Sequence, residues 1–148
     1  SGDAIETAKI ALDQISGKKS CNRPAKKAHR DWGVRKGEPI GASVTVRGDD
    51  AKILLKKLFE AKGNSVNARS LDRMGNISFG ILEHIDIPGI KYDPKIGILG
   101  LDVSVRLTRP GFNIRVRSKH KASVGIMHKI TPAEAKAYLT KEFGVVVS

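Results

Sequence analysis

Glu83, Asp86, Asp93 and Asp102 lie close enough along the chain to suggest carboxylates gathered around magnesium beside a phosphate, the chemistry of a metal-dependent nuclease. Their spacing carries little weight by itself. Glu83 and Asp102 can face opposite sides of a sheet, and Asp93 before Pro94 is ordinary turn chemistry. His84 adjoins Glu83, while His120 and His128 sit in or beside a basic stretch. None has the short spacing of a zinc helix, or a nucleophile placed beside a general base. The glycines form no GxxxxGKS phosphate loop, and Cys21, the single cysteine, has neither a disulfide partner nor companion ligands. These residues assign no catalytic group, no metal and no cofactor.

The cations make a stronger pattern. Between Lys18 and Lys36 stand Lys18, Lys19, Arg23, Lys26, Lys27, Arg30, Arg35 and Lys36 against one acid, Asp31. Trp32 within this run, punctuated by Pro24, Gly33 and Gly37, points to an ordered basic surface rather than a solvated tail. Between Val103 and Thr131 the chain carries Arg106, Arg109, Arg115, Arg117, Lys119, Lys121 and Lys129 and no acid. The two blocks hold 15 of the 27 bases and 1 of the 15 acids, so the charge is segmented, as on a surface that neutralises phosphates.

Periodicity supplies the elements that must hold these side chains. Ile5, Ala8, Leu12 and Ile15 recur at helical spacing from a cap at Gly2 or Asp3 to Ser16 and Gly17. Alternation from Ile40 to Arg47 predicts a half-buried strand with Ser43, Thr45 and Arg47 on its polar face. Gly48 and Asp49 open a helix to about Lys62 with Ile53, Leu54, Leu58 and Phe59 as its apolar stripe. Gly63 to Gly75 lacks periodicity and reads as a mobile loop, the kind of segment that binds something. Ile77, Phe79 and Ile81 form a second strand that Ile85 and Ile87 would extend. A third buries Leu101, Val103, Val105 and Leu107 opposite Asp102, Ser104, Arg106 and Thr108. Thr131, Pro132 and Glu134 spell a capping box before a helix to about Phe143. The order predicts an α+β fold, a mainly antiparallel sheet with helices packed on one face.

With 148 residues, 40% of them hydrophobic, the chain suits a single domain over residues 1–148. A formal charge of +12 favours a polyanionic partner, and no run approaches the roughly 18 apolar residues that span a bilayer, so the expectation is a soluble intracellular protein without a membrane partner. Hydroxyls and guanidinium groups on the polar strand faces suit 2′-hydroxyls and phosphates across a shallow minor groove. Aromatic residues make up only 5% of the chain and none pairs in a strand, so recognition by shape and backbone is expected over base stacking.

NISFGILEHIDIPGIKYDP from Asn76 to Pro94, then GILGLDVSVRL, then RPG at Arg109 to Gly111, resembles the ribosomal protein L-five family. ISGKKS at Ile15 to Ser20, AKKAHRDWGVRKGEPIGASVTVRG at Ala25 to Gly48 and GIMHKITPAEA at Gly125 to Ala135 extend the likeness over nearly the whole chain. The long form EHIDIPGIKYDP and the RPG-led basic loop are similar to the archaeal and eukaryotic branch. The resemblance implies a structural, non-enzymatic constituent of the large subunit of the cytoplasmic ribosome. It would bind and position 5S rRNA in the central protuberance, touch large-subunit rRNA and neighbouring ribosomal proteins including one in the small-subunit head, and approach peptidyl-site tRNA. By matching position, Lys18, Lys26, Lys27, Thr45 and Arg47 become 5S rRNA contacts, joined by Lys19, Arg23, Arg30 and Arg35 of the same block. Gly63 to Gly75 becomes the loop near tRNA, with Asn64, Asn67, Arg69, Ser70 and Arg73. Arg109, Arg115, Arg117, Lys119 and Lys121 are expected as further RNA contacts. The family pattern also places a helix and a strand ending in a GVGESG-like turn ahead of the position where this chain begins. Two competing readings are a nuclease using Glu83, Asp86 and Asp102, and a nonspecific nucleic-acid chaperone.

Overall fold

The computed structural model describes residues 2–147, which form an α+β protein with three α-helices and six short strands among them. It divides into two compact units, residues 1–61 with 82–101, and residues 62–81 with 102–148.

In the first unit, helix α1 (Gly2–Ser16) ends where the sequence says it should. Gly17 takes the left-handed conformation (φ 63°), and its N–H reaches Asp13 O at 2.9 Å. The Asp13 carboxylate then accepts from Ser20 N–H at 2.6 Å, and buried Ser20 donates its hydroxyl to Lys9 O, which folds the chain back along the helix. Strand β1 (Cys21–Pro24) follows and pairs antiparallel with β2 (Pro39–Ser43), from Cys21 opposite Ser43 to Pro24 opposite Pro39, and α1 packs on this pair. Between the strands the pairing continues as a hairpin. Ala25 N–H meets Glu38 O, and His29 and Val34 exchange both backbone bonds around a tip at Arg30 to Gly33. Gly33 closes that tip at φ 65° with its N–H on Arg30 O.

Three expectations fail in this unit. The strand predicted over Ile40 to Arg47 stops at Ser43, because its partner begins at Cys21 and nothing pairs with Val44 to Arg47 in a ladder. Alternation survives that end: Val44 and Val46 are half-buried, and Thr45 and Arg47 exposed. Helix α2 (Asp49–Ala61) buries Leu58 and Phe59, but Ile53 of its predicted stripe is 60% exposed, and Ile40 is 57% exposed on β2. Ile85 and Ile87 do not extend a strand; His84–Asp86 is a 3₁₀ turn that aims Ile87 inward. Its His84 is buried, gives its N–H to Leu99 O and accepts Leu99 N–H on Nδ1 at 3.3 Å, which ties the ends of the Ile85 to Ile98 segment.

In the second unit, β4 (Ile77–Ile81) shows the expected alternation, with Ile77, Phe79 and Ile81 buried, and pairs with β5 (Leu101–Val105). Helix α3 (Pro132–Phe143) carries the full capping box: Thr131 Oγ1 accepts Glu134 N–H while Glu134 Oε2 accepts Thr131 N–H at 3.0 Å. Phe112, Val124, Ile130 and Ala135 make the core under it, and Leu71, Leu107 and Ile114 pack against them. Gly75 belongs to this packing, since at φ +73° a Cβ there would stand 2.8 Å from Ile130 Cγ2 and 3.1 Å from Ala135 Cβ.

The predicted loop Gly63 to Gly75 is built rather than structureless. Its strand β3 (Ser65–Val66) pairs parallel with β6 (Val146–Val147), and a 3₁₀ turn over Ala68–Ser70 is capped by Asn67. Asp72 accepts from Met74 N–H, Asn76 N–H and the Asn76 amide, all at 2.8 Å. The polar Gly- and Asn-rich sequence hid this because its partner lies some eighty residues away in the chain. The strands form three two-stranded ladders, β1 with β2 antiparallel, β3 with β6 parallel, and β4 with β5, and the fold is α+β as expected.

Candidate nucleic-acid interface

The first basic block is the hairpin itself and the turn that feeds it. Lys18 and Lys19 stand between α1 and β1, Arg23 on β1, and Lys26, Lys27, Arg30, Arg35 and Lys36 along the extension, all exposed. Two of these have protein partners. Lys18 Nζ lies 2.7 Å from Asp50 Oδ2 at the start of α2, and Arg23 Nε donates to Ser43 Oγ across the ladder at 2.6 Å. The Arg23 bond fixes one edge of the guanidinium and leaves its terminal amino groups free of that bond to meet an anion. Among the described residues, Lys19, Lys26, Lys27, Arg30, Arg35, Lys36 and Arg47 form no ion pair. An exposed cation without a carboxylate loses little on meeting a phosphate, and the Ala25–Glu38 and His29–Val34 backbone bonds close the bends in which Lys26, Lys27, Arg30, Arg35 and Lys36 stand.

Sequence reading noticed Trp32 but not its placement. It sits at the hairpin tip, 77% exposed, with its ring 5.0 Å from that of His29 and tilted by 35°. The signal was present as an aromatic between Asp31 and Gly33, but only the His29–Val34 pairing reveals a tip.

The second block lies in the second unit. Arg106, Arg115, Arg117, Lys119 and Lys121 are exposed, and alternation persists from Leu101 through Thr108, so Ser104, Arg106 and Thr108 do share a polar side. Ser78 and Ser104 hydroxyls pair at 3.4 Å on the same exposed side of β4 and β5. Arg109 is held by Glu134 at 2.9 Å, and Arg117 Nε donates to His120 O at 2.8 Å, so both serve the fold as well. Thr131's backbone bond, then Arg109, hold the Glu134 carboxyl below the usual range.

Of the predicted Gly63 to Gly75 residues, Asn67 is consumed as a cap and Asn64 O accepts Val146 N–H. Ser70 is half-buried, while Arg69 and Arg73 remain exposed. Partial burial opposes ionisation of Asp72, but hydrogen bonds from Asn76 and Met74, with the charge of Arg115, lower its pKa from the ordinary carboxylate value.

The nuclease geometry is not assembled. Asp93 caps its own turn through Lys95 N–H at 2.9 Å, and no three metal-ligating side chains gather among the described residues. No helix among the described residues is long and apolar enough to cross a membrane.

A basic hairpin and a basic polar-faced unit on an α+β scaffold are the features of an RNA-binding ribosomal component, and comparison with known proteins agrees. The chain belongs to the ribosomal protein L-five family, whose C-terminus model matches residues 39–146. It is 70% identical over 148 residues to large ribosomal subunit protein uL5 of Nitrosopumilus maritimus, covering 100% of this chain and 86% of that protein. The uL5 protein of Cenarchaeum symbiosum is 65% identical over 147 residues, 99% of this chain and 87% of that one. That of Pyrobaculum aerophilum is 43% identical over 147 residues, 99% of this chain and 82% of the relative. These archaeal relatives match the branch that the EHIDIPGIKYDP form suggested. The chain is a structural constituent of the large subunit of the cytoplasmic ribosome, and not an enzyme.

Proposed function

We propose that this chain acts as one domain that binds and positions 5S rRNA in the central protuberance, with the hairpin of the first unit as its principal contact. The observation that carries this reading is the set of exposed cations without an ion pair in the bends and tip of the β1–β2 hairpin, Lys26, Lys27, Arg30 and Arg35, with Lys19 just ahead of β1, Arg23 fixed on Ser43, and Thr45 and Arg47 exposed after β2. Phosphate neutralisation supplies affinity, and the fixed geometry of the hairpin supplies selectivity for one RNA shape. Lys18 joins this surface by exchanging Asp50 for phosphate. Arg109, Arg115, Arg117, Lys119 and Lys121 contact further large-subunit rRNA, and other faces meet neighbouring ribosomal proteins, including one in the small-subunit head.

The approach to peptidyl-site tRNA is assigned to the exposed arginines of the Gly63 to Gly75 segment, Arg69 and Arg73, with Asn64, Asn67 and Ser70 shaping it. A second reading places that contact at the Arg30 to Gly33 tip, favoured by the outward Trp32 and by the internal use of Asn64 and Asn67. Paired alanine substitutions, Arg69→Ala with Arg73→Ala against Arg30→Ala with Trp32→Ala, separate the two. Only the pair at the true contact weakens tRNA protection in assembled ribosomes.

The test of the main reading is binding to 5S rRNA against excess tRNA competitor at several salt concentrations. Binding that stays selective near physiological salt supports it. Unselective binding that collapses with salt sinks it, and favours a nonspecific chaperone.

A further inference from the structure

The turn Ile126–His128 in the second unit displays what the core-forming residues around it hide. Val124 and Ile130 on either side are 5% and 7% exposed, whereas Ile126 and Met127 between them are 82% and 97% exposed. The turn is anchored. His128 Nε2 bonds Pro110 O at 2.8 Å, its ring meets Phe112 edge-on at 5.5 Å, and its N–H reaches Gly125 O at 3.0 Å. Two adjacent aliphatic side chains are thus presented to solvent by a fixed 3₁₀ turn, while Lys119, Lys121 and Arg117 lie in the same acid-free stretch and Lys129 follows directly.

We propose that this turn is a docking knob for an acidic protein surface bearing an apolar cleft, a neighbour within the large subunit. Charge complementarity selects the occupant's sign, because the chain offers no acid between Val103 and Thr131, and the nearby Glu134 is committed to Arg109. The knob's chemistry selects protein over RNA. Bases are gripped by aromatic or guanidinium planes, and neither Ile126 nor Met127 supplies one. Aliphatic side chains gain by entering an apolar pocket, which a folded protein supplies and an RNA helix does not. The inference rests on the chain's place in the large subunit and is independent of the 5S rRNA contact.

The test places a diazirine amino acid at position 127 of the full chain, carried into purified large subunits and irradiated. The expected product is a cross-link to one protein, in a peptide that combines acidic and apolar residues. Its yield should fall about tenfold when Ile126→Ser removes half of the knob, and also when Lys129→Glu reverses the charge directly after it. Far-UV circular dichroism and 5S rRNA binding of these variants should stay as in the parent, which separates failure here from failure of the RNA reading. Cross-links to nucleotides, to a basic peptide, or to solvent alone overturn the proposal.

Discussion

Lys26→Ala with Lys27→Ala gives the most quantitative check of the hairpin as an RNA surface. Both lysines are exposed, both lie in the bend beyond β1 between the Ala25–Glu38 and His29–Val34 backbone bonds, and neither has a carboxylate partner among the described residues, so their removal should leave the fold alone. Each lost phosphate contact lowers the slope of log K against log salt by about 0.7–0.9, so the pair should flatten it by about 1.4–1.8. Between 50 and 200 mM salt that amounts to about a 7- to 12-fold change in the parent's advantage over the variant. Fluorescence titration with 5S rRNA at four or more salt concentrations measures it. Lys18→Ala is the internal contrast: Asp50 already neutralises that cation at 2.7 Å, so its slope change should be smaller than that of either free lysine. An unchanged slope in the folded double variant, or a larger change for Lys18, would refute the reasoning that unpaired cations of the hairpin carry the contact.

Gly75→Ala should destabilise the second unit by about 2–4 kcal/mol in urea unfolding, combining left-handed strain with overpacking against Ile130 and Ala135. Thr131→Ala removes the side-chain half of the capping box and should cost about 1 kcal/mol in the same assay, with Thr131→Ser close to the parent. Asp13, Asp72 and Glu134 all have lowered pKa values in the fold, Asp13 through its bonds from Ser20. A carboxyl depressed on folding stabilises above its unfolded value and loses that contribution as pH falls through its folded value. Stability should therefore be level near neutrality and decline below the ordinary carboxylate range. Asp72→Asn, which keeps an oxygen for Met74 and Asn76 N–H, should make that acid decline shallower, and an identical decline in the variant would show that Asp72 is not linked to it.

Local signals explain which parts could be read from the chain alone. Helix α3 was legible because Thr131, Pro132 and Glu134 act within one turn, and β4 because Ile77, Phe79 and Ile81 alternate over a buried face. Strand β1 was not, since CNRP is exposed throughout and is a strand only by pairing with Pro39–Ser43. For the same reason Ser65–Val66 passed for loop, its partner being Val146–Val147 at the other end of the chain. Periodicity gives a side chain's direction and not what stands opposite, so Ile40 and Ile53 were expected inside and are exposed. The candidate surface was legible as charge. Its hairpin form, the Lys18–Asp50 pairing and the outward Trp32 depend on contacts distant in sequence.

The central claim is that the hairpin following α1 holds 5S rRNA inside the large subunit. Ultraviolet cross-linking of intact large subunits, followed by mass spectrometry of the peptide–nucleotide products from this chain, tests it most directly. The account predicts that peptides from the Lys18 to Arg47 region carry 5S nucleotides. Cross-links from that region to other RNA only, with 5S nucleotides found elsewhere on the chain, would contradict it.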